Sequence, residues 1–252
     1  AWGYEPVTIA DIKAYRPQTN SISSGQVLQE PYDYEKTKLI VREMTDLLVL
    51  DLVDKRLVTD QIVLTIGYDI ANLSNKADRC FGNNYDHAVN KKGRDSIGGK
   101  KGTHRDYTGE ITIDRYGRKV PKHAHGTANL GRYTSSTRII MDAVMELYDR
   151  IIDPSLLTRR ITVVANRVCD ESKVQFEQLD LFTDYQERAK EKLKEDEALS
   201  KERKLQEAMI SVKKKYGKNA MLKGMNLEEG ATTISRNNQM ADTRHSSNRC
   251  GS

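Results

Sequence analysis

Residues 58–68 alternate between apolar and polar side chains, and this pattern constrains the fold more than any other feature. Apolar side chains stand at every second position except Asp60, namely at Val58, Ile62, Leu64, Ile66 and Tyr68. The positions between them hold Thr59, Gln61, Val63, Thr65 and Gly67. Because alternate side chains of a strand point to opposite faces of a sheet, the stretch predicts a strand with one mostly apolar face.

Two amphipathic helices flank further strands. Asp33 is a suitable N-cap for a helix that runs to about Arg56 and carries one apolar stripe, at Ile40, Met44, Leu47 and Leu48. Ser135 or Ser136 is a suitable N-cap for a second helix over about 136–152, with its stripe at Ile140, Val144, Leu147, Tyr148 and Ile151. The apolar stripe of each helix must be buried against another layer of secondary structure.

The other predicted strands cover 21–29, 119–127 and 158–168, and the second of these leads to Gly131-Arg132-Tyr133. In the last strand Ile161, Val163 and Ala165 face inward, whereas Arg160, Thr162 and Asn166 lie on the other face. The order strand, helix, strand, strand, helix, strand predicts an α+β fold in which two helices cover one face of a four-stranded sheet. The other face is polar, which is also common for a sheet face that meets only solvent.

Length and composition limit the class of protein. The 252 residues suffice for one or two domains, with 37% hydrophobic and 31% charged residues. The three cysteines, Cys80, Cys169 and Cys250, are widely spaced, which favours a reducing compartment and predicts a cytoplasmic protein. No signal peptide and no membrane-spanning run is recognisable. Because the sequence opens at Ala1-Trp2 without Met, we expect it to be part of a longer chain.

Positive charge is concentrated in one part of the chain. Residues 69–117 are rich in glycine and predict a long loop or hairpin insertion. Between Asn90 and Arg132 there are eleven Lys or Arg residues against four Asp or Glu, while the whole chain carries only +5. Clustered cations bind phosphate backbones because each contact releases counterions, so this segment favours a nucleic-acid partner.

No catalytic or cofactor site is predicted. His123 and His125 share a strand face and could bind a metal, but no third ligand is near and Lys122 would oppose a cation. Contact with phosphate or solvent is therefore the preferred interpretation. The sequence has no phosphate-binding glycine loop followed by Lys-Ser or Lys-Thr and no Gly-x-Ser-x-Gly motif.

A short apolar peptide stands in the polar region after Asp170. It consists of Gln178, Leu179, Asp180, Leu181 and Phe182. Such a peptide can insert its apolar side chains into a groove of a partner protein, while the glutamine side chain forms hydrogen bonds at the rim of that groove. A core-capping helical turn is the alternative. A charged helix is predicted over about 185–216, most simply a solvated one, and 217–252 is predicted to be disordered.

The pentapeptide resembles the bacterial sliding-clamp-binding motif at every position. Together with Ser21–Gln26, the stretch from Val41 to Tyr68 and His123–Gly131, it makes the chain similar to the C-terminal part of a Y-family, UmuC-like translesion DNA polymerase. The likeness covers about residues 1–238. It implies the end of the thumb in 1–20, a little-finger domain of β-α-β-β-α-β type in 21–170 with a basic insertion at about 76–107, and a clamp-binding tail in 171–252.

The resemblance implies a function in DNA repair and the SOS response, near the nucleoid. The partners would be primer-template or damaged DNA and the sliding clamp, with no membrane. Ser23, Ser24 and Gly25 would meet template phosphates, and the second helix N-terminus could hold another. The residues predicted to contact DNA are Ser23, Ser24, Gly25, Lys122, His123, His125, Arg132, Tyr133, Ser135, Arg160, Thr162 and Asn166.

The chain also departs from the family. The palm, whose carboxylates would bind Mg²⁺, would precede Ala1, so no polymerase activity and no cofactor are expected for this chain alone. The 76–107 loop is longer and more basic than expected, and the sequence after Arg236-Asn237-Asn238-Gln239 differs from the family pattern. One alternative is a free-standing clamp-binding competitor with weak DNA contact. Another is a structured-RNA binder, disfavoured because Tyr68 is the only aromatic residue in the predicted strands.

Overall fold

The computed structural model describes residues 6–15, 20–73, 107–174 and 185–246. The predicted clamp-binding peptide at 178–182 and nearly all of the basic insertion at 76–107 lie outside the described residues. A short helix α1, Ile9–Ala14, begins at Thr8, whose hydroxyl accepts from the Asp11 amide in a capping box.

Four strands form the main antiparallel sheet in the order β1, β6, β2, β5. They are β1 (Ile22–Tyr32), β2 (Leu57–Tyr68), β5 (Ala124–Thr134) and β6 (Thr158–Asn166). Their pairing follows the predicted alternation, since Ile62, Leu64 and Ile66 are fully buried on the face that they share with Ile161, Val163 and Ala165. The predicted apolar faces of these two strands are therefore confirmed.

Two helices pack on that buried face. Helix α2, Tyr34–Asp54, begins at Asp33, whose Oδ1 accepts from the Lys36 amide at 2.9 Å. Helix α3, Thr137–Ile151, begins at Ser136, whose Oγ accepts from the Ile139 amide at 3.4 Å. Side chains of both helices join the strand side chains in one core cluster. The predicted α+β class is confirmed.

Two smaller strand pairs complete the sheet structure. Strands β3 (Ile111–Ile113) and β4 (Lys119–Pro121) form a two-stranded hairpin that leads directly into β5. Strand β7 (Cys169–Asp170) pairs with the start of β2. Strand β3 lies within the stretch 69–117 for which the sequence predicted a loop or a hairpin insertion, and β4 lies at the start of the stretch 119–127 that was predicted to be extended.

The tail packs against the helix layer. Helix α4, Tyr185–Tyr216, buries Gln206 and Met209, so it is not the simply solvated helix that its charge predicted. A 3-10 turn at Gly224–Leu227 and helix α5, Thr233–Ser246, follow. The prediction of disorder after residue 216 is wrong for 217–246. The composition is poor in apolar residues, but polar contacts with α2 hold the segment in place.

Helix α2 supplies those contacts through two buried carboxylates. Glu43, only 1% exposed, accepts from Asn226 Nδ2 and from the Thr232 amide, each at 2.8 Å. Asp46 is also buried and forms an ion pair with Lys223. The apolar stripe of α2 faces the sheet, and the tail covers these polar positions, so the helix is buried on both sides.

Gly126 marks the closest approach of β5 to α3. A Cβ added there would stand 2.8 Å from Leu147 Cδ1 and 2.8 Å from Ile151 Cγ2, whereas one added at Gly25 would stand 3.6 Å from Thr162 Oγ1. We expect Gly126→Ala to lower the free energy of unfolding by roughly 1–3 kcal/mol, because overpacking displaces the helix. Gly25→Ala is the matched control and should cost less than Gly126→Ala. Urea denaturation followed by circular dichroism measures both, and equal stabilities would contradict the close packing.

Within the described residues, no helix combines the length and the apolar character that crossing a membrane requires.

Candidate nucleic-acid interface

The sheet face opposite the helices is open and mostly polar. Cross-strand pairing assigns its members, because directly paired residues share a face. Thr162 of β6 lies between Gly25 of β1 and Thr65 of β2, and Thr65 in turn pairs with His125 of β5. By the same alternation the face comprises Ser23, Gly25, Val27, Gln61, Val63, Thr65, Gly67, His125, Thr127, Asn129, Arg160, Thr162, Val164 and Asn166.

Three amide side chains form a row across one end of this open face. Gln61 Nε2 donates to Asn129 Oδ1 at 2.9 Å, and Asn166 Nδ2 donates to Gln61 Oε1 at 3.3 Å. Arg167 donates to the same Asn129 oxygen at 3.2 Å and pairs with Asp60 at 3.1 Å. The row connects β5, β2 and β6 and fixes the side chains in one arrangement. Amides of this kind donate to phosphate and sugar oxygens in protein–DNA complexes.

His125 lies on the β5 side of the open face, and His123 directly precedes β5. His125 Nδ1 lies 2.9 Å from Thr65 Oγ1, and the ring centroids of His123 and His125 lie 6.4 Å apart in an edge-on arrangement. Both side chains are exposed. The hydrogen bond orients the His125 ring and leaves Nε2 available for a hydrogen bond to a ligand. In the described parts of the chain, no three His, Cys, Asp or Glu side chains come together as a metal site would require.

Arg160 carries the positive charge at the β1 side of the open face. Its side chain is exposed, and no ion pair or hydrogen bond is formed to it by any residue that the structure describes. Gly67 pairs with it across the sheet, and a Cβ at Gly67 would stand 3.3 Å from Arg160 Cβ. The glycine therefore leaves room beside the arginine stem. A guanidinium in this position can contact a polyanion without first breaking an ion pair.

Several residues predicted to contact DNA lie elsewhere. Ser24 is on the helix side of β1, where its Oγ accepts from Arg236 at 3.1 Å. Arg132 forms an ion pair of 2.5 Å with Glu195 of α4. Ser135 is buried, and its Oγ accepts from Arg203 at 3.2 Å. The DNA contacts predicted for these three residues stay predictions, and the open face does not include them.

A carboxylate occupies the α3 N-terminus, where the sequence suggested that a phosphate could bind. Glu202 of α4 accepts from Ser136 Oγ at 2.6 Å and from the Arg138 amide at 3.1 Å. An acidic side chain satisfies helix N-terminal amides as an anion would. In this arrangement the tail, rather than an external ligand, completes the helix end.

Most of the remaining residues that were predicted to contact DNA lie on the open face. Ser23 and Gly25 lie on it in β1, and Thr162 and Asn166 lie on it in β6. Tyr133 follows an irregularity in the pairing of β5 with β2, and it lines a cavity together with Leu199 of α4. Lys122, between β4 and β5, pairs with Glu110 at 2.7 Å. Sequence reasoning did not single out Gln61, Thr65, Asn129 or Arg167, although the alternation in 58–68 already placed Gln61 and Thr65 on the polar face.

A scan of this chain against protein-family models finds no match. A search of curated proteins also finds no match.

Proposed function

We propose that this chain is the DNA-gripping and clamp-tethering part of a lesion-bypass DNA polymerase that acts in DNA repair, without catalytic activity of its own. The observation that carries the proposal is the open sheet face, which presents Arg160, His125 and a row of amides while helices cover the other face. The proposal also depends on the sequence resemblance to the Y-family little finger and tail.

The chemistry of the face suits a phosphate backbone rather than a base sequence. It offers a guanidinium, a histidine ring, and hydroxyl and amide groups spread over four strands. These groups donate to phosphate and sugar oxygens, which position a protein on a duplex but do not distinguish bases. A polymerase part that must hold any damaged template needs this kind of sequence-independent contact.

The connectivity of the sheet supports the same proposal. The elements β1, α2, β2, β5, α3 and β6 follow the strand and helix order of the little-finger type that the resemblance implies. The hairpin β3–β4 and the basic 76–107 segment are inserted between β2 and β5. The insertion would add positive charge to the part of the chain that is proposed to bind DNA.

Tethering completes the proposed function. The peptide 178–182 would bind the sliding clamp, while the sheet face holds primer-template DNA. Linking two binding sites in one chain makes the second binding event intramolecular and raises its effective concentration. Weak contact of the face with DNA would then suffice at the replication site.

Arg160→Ala tests the sheet face. We expect the variant to bind duplex DNA about 3- to 10-fold more weakly and to lower the salt slope of binding by about one unit, because one phosphate contact is lost. Arg160→Lys should retain most of the slope. The control Arg138→Ala removes the same charge from an exposed position on the helix side and should leave both quantities near wild type.

Fluorescence anisotropy with a labelled duplex at two or more salt concentrations measures these quantities. If Arg160→Ala and Arg138→Ala weaken binding equally, only net charge matters and the assignment of the sheet face is wrong. If the chain binds a sliding clamp but no DNA, the clamp-competitor alternative replaces the present proposal.

A further inference from the structure

The hairpin β3–β4 exposes apolar and aromatic side chains that the core does not use. Tyr116 at its tip is 76% exposed, and Ile113 beside it is 72% exposed. The hairpin also carries four cations, at Arg115, Arg118, Lys119 and Lys122, against the two acids Glu110 and Asp114. Large apolar side chains that are exposed close together generally mark a contact surface.

The tip of the hairpin is held in one conformation by Asp114. Its Oδ1 accepts from the Tyr116 amide at 2.8 Å and from the Arg118 amide at 2.9 Å, and its Oδ2 accepts from Arg118 Nε at 2.8 Å. Partial burial raises the pKa of Asp114, but the hydrogen bonds from Arg118 and Tyr116 outweigh it and leave the pKa below its usual value. Because these hydrogen bonds already fix the turn, Tyr116 loses little conformational freedom when it binds a ligand.

The same network places a cation on the aromatic ring. The Arg118 guanidinium lies 5.3 Å from the centroid of the Tyr116 ring, while its other side bonds to Asp114. Arg115 is adjacent and exposed. A tyrosine ring among guanidinium groups forms a platform on which a nucleic-acid base can stack while the cations approach its phosphates. A protein partner with an apolar pocket would not need this excess of positive charge.

The position of the hairpin joins this platform to the open sheet face. Its base is closed by the bond from the Lys122 amide to the Glu110 carbonyl, at 2.8 Å. The chain then passes through His123 into β5, where His125 pairs with Thr65. From Lys122 to Gly117 the strand can reach roughly 16 Å, at about 3.3 Å per residue. One DNA strand could therefore contact both regions, because its phosphates repeat at a much shorter spacing.

We propose that the β3–β4 hairpin is a nucleic-acid-binding arm, in which Tyr116 stacks on an unpaired base of a strand whose duplex part lies on the open face. The inference rests on the proposed function and adds a ligand class to it, namely single-stranded template DNA next to a duplex. Ile113 and Arg118 flank the stacked base, and Asp114 holds the turn.

The test uses the full chain and two DNA ligands, a blunt duplex and the same duplex with a 5′ overhang that contains 2-aminopurine. Stacking on an aromatic ring quenches this base analogue. Tyr116→Ala should weaken binding to the overhang ligand by about tenfold and remove the quenching, because stacking on one base has an effect of this size. Tyr116→Phe should retain both, and affinity for the blunt duplex should change less than twofold.

Tyr216→Ala is the matched control. That tyrosine is 68% exposed and also has a cation near its ring, with Lys215 Nζ 5.2 Å from the centroid, but it ends helix α4. Its replacement should alter neither affinity nor quenching. Equal effects of the two tyrosine variants would overturn the inference, since exposure alone would then explain them.

The outcomes separate this inference from the proposed function. If Arg160→Ala weakens duplex binding but Tyr116→Ala changes nothing, the hairpin arm is wrong and the sheet face stands. If Tyr116→Ala weakens overhang binding while Arg160→Ala has no effect, the stacking on Tyr116 stands, and the duplex does not lie on the open face. Failure of the wild-type chain to bind either DNA overturns both. A lower thermal midpoint for Tyr116→Ala with equal loss on both ligands shows that the ring packs within the chain, and this also overturns the inference.

Discussion

Glu43→Ala is expected to lower the free energy of unfolding by about 2–4 kcal/mol. The carboxylate is 1% exposed and accepts hydrogen bonds from Asn226 and from both the amide and the hydroxyl of Thr232. Removing it leaves buried donors without an acceptor, which costs roughly 1–3 kcal/mol for each unsatisfied group. The loss therefore exceeds that of an ordinary surface substitution.

Equilibrium urea unfolding followed by circular dichroism measures this effect. Glu146→Ala is the control, since it removes the same side chain from an exposed position of α3 and should change stability by no more than about 0.5 kcal/mol. Glu43→Gln should be intermediate, because one acceptor oxygen remains. A Glu43→Ala variant as stable as the control would show that the tail does not contribute to the stability of the folded domain.

Replacing both Leu181 and Phe182 with alanine is expected to weaken binding to a bacterial sliding clamp by at least about 100-fold. In the proposed complex these two side chains fill the apolar groove, and truncation of such anchors typically costs 2 kcal/mol or more each. Duplex DNA binding should be unchanged, because the proposed function assigns DNA contact to the strand residues of the open face and clamp contact to the peptide. Surface plasmon resonance with immobilised clamp provides the measurement.

The control for this variant removes comparable side chains from the ordered tail. Leu205 and Leu227 are both largely exposed, so a Leu205→Ala, Leu227→Ala protein loses the same kind of apolar surface. It should bind the clamp as the wild type does. Clamp binding that survives in the Leu181, Phe182 variant would remove the tethering part of the proposed function and leave only DNA contact.

The sequence predicted the sheet and its two helices because their signals are local and repetitive. The alternation that buries Ile161, Val163 and Ala165 is a property of the strand itself, and the helix stripe with Ile140 and Val144 is set by helical periodicity. Asp33 and a serine at 135 or 136 mark helix starts by their hydrogen-bonding groups alone, and the structure selects Ser136. These features do not depend on distant parts of the chain.

The order of the tail could not be predicted in the same way. Residues 217–246 have few apolar side chains, so composition predicted disorder. Their position is fixed by polar groups of α2, and Glu43 and Thr232 are separated by 189 residues. The sequence alone does not indicate that a glutamate on a helix is buried, because its burial depends on partners that are distant in the chain.

The site was only partly predictable for a related reason. Arg160 and Thr162 follow from strand alternation, and the structure places both on the open face. Arg132 and Ser135 were expected at a DNA contact from the resemblance, but α4 brings Glu195 and Arg203 against them. Strands also extend beyond their predicted ends, so Tyr32 and Tyr133 belong to β1 and β5. Tyr68 is therefore not the only aromatic residue in the main sheet.

The strand order has a consequence for how the chain acquires its structure during synthesis. In the described residues β1 pairs only with β6, so Ile22 meets Ala165 and Val27 meets Arg160. Strand β1 is made first and its hydrogen-bonding partner is made last among the strands of the main sheet. During synthesis, the backbone groups of β1 therefore lack their native hydrogen-bonding partners until β6 has emerged from the ribosome. A nascent chain interrupted before residue 158 holds β2 and β5, but it cannot contain the native sheet.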